Sequence, residues 1–235
     1  MANYTSDYSI SIDGVSSDTL GVWVSTLVPV PPAKQHYTTG FTGSDEPFSL
    51  PDDVYEPIKY TVTFFKFFPA SLDDSAIRKY LSKGTLLQLS TLPALFFKIL
   101  TIDYTISQTA DNQRIEYNIT FTLKPFRYIL DNDWIAVTSG ATIANNGTRY
   151  SKPLFWLANA SGEVKLTING KEHKFKDLSG DIFIDSERHI IYDGNNQIVT
   201  GKDDGIYPLL AVGDNEISYT GTVTSVKVKL NRREI

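Results

Sequence analysis

Nine consecutive residues, Ile115–Leu123, alternate without a fault between apolar side chains (Ile115, Tyr117, Ile119, Phe121, Leu123) and polar ones (Glu116, Asn118, Thr120, Thr122). Helical periodicity cannot sort such a run onto two faces, whereas a strand does so at every step. The segment therefore requires a sheet with one face on a core and the other in water. Ile58–Phe68 begins in the same alternation and then turns apolar on both faces, and Phe96–Ile106 is similar. Tyr8, Ile10 and Ile12 form a shorter alternating run, and Gly21–Val24 reads as a further short strand. Thirteen Phe and thirteen Tyr, with abundant Thr, Val and Ile, suit a pleated, half-buried surface better than helices. The fold class expected is mainly β.

One helix interrupts the strands. Ser71 is placed to cap it, Asp73 and Asp74 fall in its first turn, and Ile77, Tyr80 and Leu81 share a face. Lys79 and Lys83 occupy the last turn, where the dipole favours cations, and Gly84 is placed to end it. Between Gln35 and Ile58 there is no Lys or Arg, yet Asp45, Glu46, Asp52, Asp53 and Glu56 all lie there, punctuated by Pro47, Pro51 and Pro57. This stretch reads as a long acidic connection; a solvated loop is the favoured reading, with a functional one as the alternative because long connections inside a domain are often functional.

Pro125, in Lys124–Tyr128, is expected to end the alternating strand, since proline cannot extend a central ladder. Asp131-Asn132-Asp133 follows, so the domains are expected at 1–130 and 131–235. In the second half Val164, Leu166 and Ile168 alternate into Asn169-Gly170, the strongest short hairpin signal a sequence offers. Asp181–Asp185, His189–Tyr192, Asn215–Thr220 and Ser225–Leu230 add strands, and Asp193-Gly194 and Gly213-Asp214 mark turns. Short strands at such spacing describe a β-sandwich of about a hundred residues.

Totals narrow the function. The 235 residues carry a net charge of −5, with 22 Lys+Arg against 27 Asp+Glu, shared between the halves. Neither half has the basic footprint that neutralising phosphates requires, so a nucleic-acid binder is not expected. Cysteine is absent, which removes disulfides, thiolate nucleophiles and thiolate metal sites. Met1–Ile10 lacks a basic segment followed by an apolar core, and Leu92–Leu100 is broken by Lys98 and about half a membrane span long. A soluble protein made in a cytoplasm is the expectation.

Chemistry is hard to find. His36, His173 and His189 occur in no metal-ligand spacing, no G-x-S-x-G elbow exists, and phosphate-cradling glycine motifs are absent. Adjacent acids at Asp52-Asp53 and Asp203-Asp204 point to opposite faces of an extended chain and are poorly placed to act together on one bond, and nothing singles out a pair of distant acids. Asp193, Asn195, Gln197 and Asp204 imitate part of a calcium-loop count, but Ile198 stands where glycine is required, so a β-turn is favoured. Trp134 and Trp156 fit buried sandwich tryptophans, with sugar or partner contact as the alternative. No catalytic residue, metal or cofactor is assigned, and no enzyme is expected.

A resemblance carries the reading further. Ile12-Asp13-Gly14-Val15-Ser16-Ser17, followed by Leu20-Gly21-Val22-Trp23-Val24, resembles the opening of the siphophage distal tail protein family. Pro31-Pro32 through Tyr37, the acidic stretch, the aromatic strand after Tyr55-Glu56, the helix leading to Gly84 and Phe121–Tyr128 are similar in the same order. In the second half the resemblance runs through Gly147, Ser151-Lys152-Pro153, Val164–Gly170, Gly180-Asp181-Ile182, Asp185-Ser186-Glu187 and Asp214–Gly221. Phe155–Asn159 departs from it by being more aromatic.

The resemblance implies a first domain, β-sandwich-like with one helix, that forms a ring of six, and a second, galectin-like sandwich. It implies stacking between tail tube protein and tail-tip protein, docking of receptor-binding or other baseplate proteins, and a place at the virion tail tip. Asp45, Glu46, Asp52, Asp53 and Glu56 are then expected at the lumen or a ring contact. The competing class is a carbohydrate-binding module for host cell-surface saccharide.

Overall fold

The computed structural model describes residues 7–40, 48–67, 74–108 and 114–235. It divides the chain into two compact units, residues 1–128 with Ile235, and Ile129–Glu234. Both are built from strands.

In unit 1 the order is β1 (Ile10–Ile12), β2 (Val15–Ser16), a short 3-10 turn, β3 (Trp23–Val24), β4 (Gln35–Gly40), β5 (Phe48–Tyr55) and β6 (Ile58–Phe67). Helix α1 (Ser75–Ser82), β7 (Leu86–Leu89), β8 (Leu95–Gln108) and β9 (Arg114–Ile129) complete it. The main sheet runs β2-β1-β7-β8-β9-β6-β3, while β4 and β5 pair only with each other as a separate two-stranded ribbon. The acidic connection is thus an antiparallel hairpin and not a loop. Pro51 is tolerated because it falls where the β4–β5 register slips and, among the described residues, no other strand joins the ribbon.

The β6–β9 ladder explains the perfect alternation. Ile58, Tyr60, Val62 and Phe64 stand opposite Leu123, Phe121, Ile119 and Tyr117, and all eight are buried. The intervening Thr61–Thr120 and Thr63–Asn118 pairs lie on the other face and hydrogen-bond across it. Pro125 does not end β9. The β6 ladder stops at Leu123, so on that side the missing proline amide breaks no bond.

Helix α1 packs Ile77, Tyr80 and Leu81 into this core. Its start differs from expectation: Asp74 is the N-cap residue but makes no side-chain capping bond, its carboxylate instead pairing with Arg78 at 2.7 Å. Ser71 and Asp73 lie outside the described residues. Gly84 is not a left-handed cap either. The chain leaves the helix through Lys83 in extended conformation, and Gly84 is small because a Cβ there would come 2.6 Å from Ile12 Cγ2 and 3.1 Å from Ile102 Cδ1. Its role is close packing.

Asp13 secures the β1–β2 hairpin to β7. Its carboxylate accepts from Thr85 Oγ1 (2.7 Å), Thr85 N (3.1 Å) and Leu86 N (2.9 Å). Desolvation opposes its ionisation, yet these hydrogen bonds prevail and hold the carboxyl below the usual aspartate range. Because folding lowers this pKa, the stabilisation is complete above the unfolded value of about 3.9 and is lost as pH falls through the folded one. Asp13→Asn is expected to cost unit 1 about 1 kcal/mol at neutral pH, a figure reduced for solvent exposure. Urea unfolding at pH 6 and pH 3 checks this, the gap between variant and parent shrinking at the lower pH.

Unit 2 contains β10 (Ile135–Val137), β11 (Ala141–Asn145), β12 (Leu154–Ile168), β13 (Lys171–Asp185), β14 (Ile190–Asp193), β15 (Gly213–Thr222) and β16 (Ser225–Lys229). Asn169 and Gly170, both at positive φ, turn β12 directly into β13. The long β12 changes partner along its length. Leu154–Ala158 pairs with β16 and Val164–Ile168 with β15, the switch falling at register shifts around Asn159–Glu163. Phe155, Leu157, Val164, Leu166, Phe175, Ile182, Ile184, Ile217, Val226 and Val228 fill the core between the two sets of strands.

Candidate functional site

Among the described residues no group of three or more His, Asp or Glu is placed to hold a metal. The histidines and turn acids of unit 2 that the sequence singled out are engaged in structural bonds. His173 is buried, its Nδ1 3.0 Å from Ile206 O, and the His189 ring stacks on Tyr207 at 5.1 Å. Asp193 Oδ1 accepts from Asn195 N and Gln197 N, which closes the turn that imitated a calcium loop. Asp203 accepts the Tyr207 hydroxyl at 2.7 Å and Gly205 N, while Asp204 accepts Ile206 N. Each acid of that pair closes its own turn.

A buried amide clamp supports the same region. Asn215 is fully enclosed and uses both ends of its side chain, accepting from Ala211 N and Asn169 Nδ2 and donating to Ala211 O and Gly213 O. Asn145, also buried, donates to Arg149 O and Leu210 O and accepts Gly147 N. Satisfied networks of this kind hold a long connection in one conformation.

Surfaces remain as the candidates. Of the five acids singled out by sequence, Asp45 and Glu46 lie outside the described residues. Asp52 and Asp53 lie in β5, and Glu56 follows it, exposed, with its amide donating to Lys34 O at 2.9 Å. Tyr55, at the base of the ribbon, meets Phe126 of β9 edge-on at 5.2 Å.

Trp134 and Trp156 come together at 5.9 Å, but on the outer face of the unit 2 sheet and not in its core. The reason is parity: Phe155 and Leu157 take the inward positions of β12, so Trp156 must point outward. A row crosses five strands here, Ala136, Lys227, Trp156, Phe183 and Tyr192 standing opposite one another in turn. Trp156 stacks on Phe183 (5.8 Å, 13°) and Phe183 on Tyr192 (5.0 Å, 6°). Rings so nearly parallel and so close lie face to face, since coplanar rings cannot approach to 5 Å.

On its other neighbouring strand Trp156 meets the Lys227 ammonium 4.6 Å from the ring centre, and Lys229 lies 5.2 Å over Trp134. Stacking a pyranose on Trp156 would have to displace Phe183 or Lys227. Phe183, Tyr192, Lys227 and Lys229 were not legible as partners of the tryptophans, because only the cross-strand register brings them together.

No family model and no curated protein matches the sequence. The architecture itself is shared: two β units in this order form a fold found in structural proteins of phage tails. The crystal structure of SPP1 Dit (gp 19.1), a paradigm of the hub adsorption apparatus in phages infecting Gram-positive bacteria, matches with a TM-score of 0.70 at 13% identity, over 97% of this chain and 99% of that one. A chain of the phage P2 baseplate in its activated conformation with Ca matches at 0.50 and 11% identity over 97% of each chain. The corresponding structure with Sr matches at 0.54 and 11% over 95% and 96%. At such identities the likeness is one of fold.

Proposed function

We propose that this protein is the hub of a long-tailed phage, prophage or tailocin tail tip. Six copies close into a ring that joins the tail tube to the tail-tip and baseplate proteins and lets DNA pass during host adsorption. The observation that carries this reading is the fold likeness to SPP1 Dit over 97% of this chain and 99% of that one. The hub role needs no catalytic group, and Asp193, Asp203 and Asp204 are engaged in closing turns. Net charge supports it too, because a channel crossed by DNA must repel phosphate and not retain it. In this assembly some acids of residues 45–56 face the lumen or a contact between copies. The protein is made in the host bacterial cytoplasm and carried in the virion tail tip, where unit 2 docks receptor-binding or other baseplate proteins.

Electron microscopy and native mass spectrometry of the purified protein test the reading. A six-fold ring with six times the 26.3 kDa chain mass is the expected result. Monomer at every concentration, together with absence of the protein from purified tails, would refute it.

A further inference from the structure

A cleft of about 320 Å³ opens on unit 1 between α1 and the β1–β2 hairpin. Its floor is apolar, made by Ile12, Leu20 and Tyr80, with Val15 half exposed at its edge. Tyr80 closes it from below, its hydroxyl 3.1 Å from Ile10 O and 3.2 Å from Val15 O. Lys79, in the last turn of α1, and Lys83, the residue that leaves the helix, both stand at the rim. Neither ammonium forms an ion pair with a described residue. The one acid of the lining, Asp13, is already committed to Thr85 and Leu86. The cleft is thus apolar within and cationic without.

The same unit carries a segment of opposite character. The β4–β5 ribbon joins neither sheet, and a lone two-stranded ribbon is marginally stable unless something packs on it. The end of β5 and the residue after it read Asp52-Asp53-Val54-Tyr55-Glu56, three acids and no base, with Val54 57% exposed. Val54 and Glu56, both exposed, make this end apolar and acidic, the complement of the apolar and basic cleft, and no described residue of the ribbon lines that cleft. That is the requirement for a heterologous contact, which generates a ring when its rotation closes.

We propose that the cleft of one copy receives the acidic end of β5 from a second copy, Val54 entering the apolar floor and the Glu56 carboxylate meeting the Lys79 and Lys83 rim. The inference rests on the ring reading and names one of the contacts that would build it.

The absence of cysteine makes the test clean. A chain carrying Val54→Cys and Ala76→Cys, both exposed positions, is oxidised with copper phenanthroline and dioxygen, each disulfide passing two electrons and two protons to dioxygen. Bridging requires Cα atoms within about 7 Å, so it reports direct contact. A ladder of crosslinked species ending at six is expected, and Lys79→Glu with Lys83→Glu should abolish it. The same pair of charge reversals should raise the protein concentration needed for half-assembly by about ten-fold, with partial recovery when Glu56→Lys is added. Rings in the microscope without the ladder would overturn the contact and leave the hub reading standing. Crosslinking only within one chain would overturn it as well. Monomer throughout, uncrosslinked, would overturn the contact, and with the protein also absent from purified tails it would overturn the hub reading as well.

Discussion

Truncating Phe121 to alanine is expected to lower the stability of unit 1 by about 3–5 kcal/mol, the range for removing a fully enclosed aromatic side chain. Phe121 has no exposed surface and stands opposite Tyr60 in the β6–β9 ladder, inside the cluster that also holds Ile119, Leu123 and Phe64. A sheet core cannot collapse around the loss as a loop would, because β6 and β9 are held in register by ladder bonds on both sides of the gap. For a domain of this size the loss corresponds to a fall in melting temperature of more than about 10 °C. Hydrogen exchange locates it: amides of β6 and β9 should lose protection, while β12 and β13, whose core is a separate cluster, serve as the reference. A loss below about 1 kcal/mol would show that the Phe121 site repacks.

Gly221→Ala is expected to cost unit 2 about 3 kcal/mol or more, by a different mechanism. Gly221 sits at φ +111° beside the point where β12 changes partner, and a Cβ built there would lie 2.3 Å from Glu163 O and 3.0 Å from Val164 Cα. Both obstacles are backbone, so no rotamer change relieves them, and the strain of a forbidden φ is added. Gly162, at φ +72° on the opposing strand with open space where a Cβ would go, separates the two effects. Gly162→Ala should cost only about 1–2 kcal/mol, the conformational part alone. Chemical unfolding of the two variants side by side checks the prediction, and equal losses would show that the close approach at Gly221 is relieved by backbone movement.

Much of the fold was legible because it follows from period. The alternation of Ile115–Leu123 became a strand with every apolar residue on the core, and Asn169-Gly170 became the turn between the two longest strands of unit 2. Where local rules failed, partners outweighed them. Pro125 was expected to end a strand, but β9 continues because its ladder partner on one side had already stopped. The stretch from Gln35 to Ile58 looked like a loop by its prolines and acids, yet it pairs with itself. Gly84 was expected as a helix cap and proved to be a point of contact between α1's exit and β1.

The chain's own residues determined its mainly β character, its tight turns, the apolar face of α1 and the acidity of residues 45–56, because each depends on neighbours along the chain. The surfaces were decided only by tertiary structure. Trp134 and Trp156 are 22 positions apart, and their shared outer face with Phe183, Tyr192 and Lys227 exists only once four strands are set in register. The cleft likewise needs α1 to lie against a hairpin that precedes it by some 60 residues. Periodicity acts over two to four residues, whereas a recognition surface is assembled from segments whose proximity is set by packing.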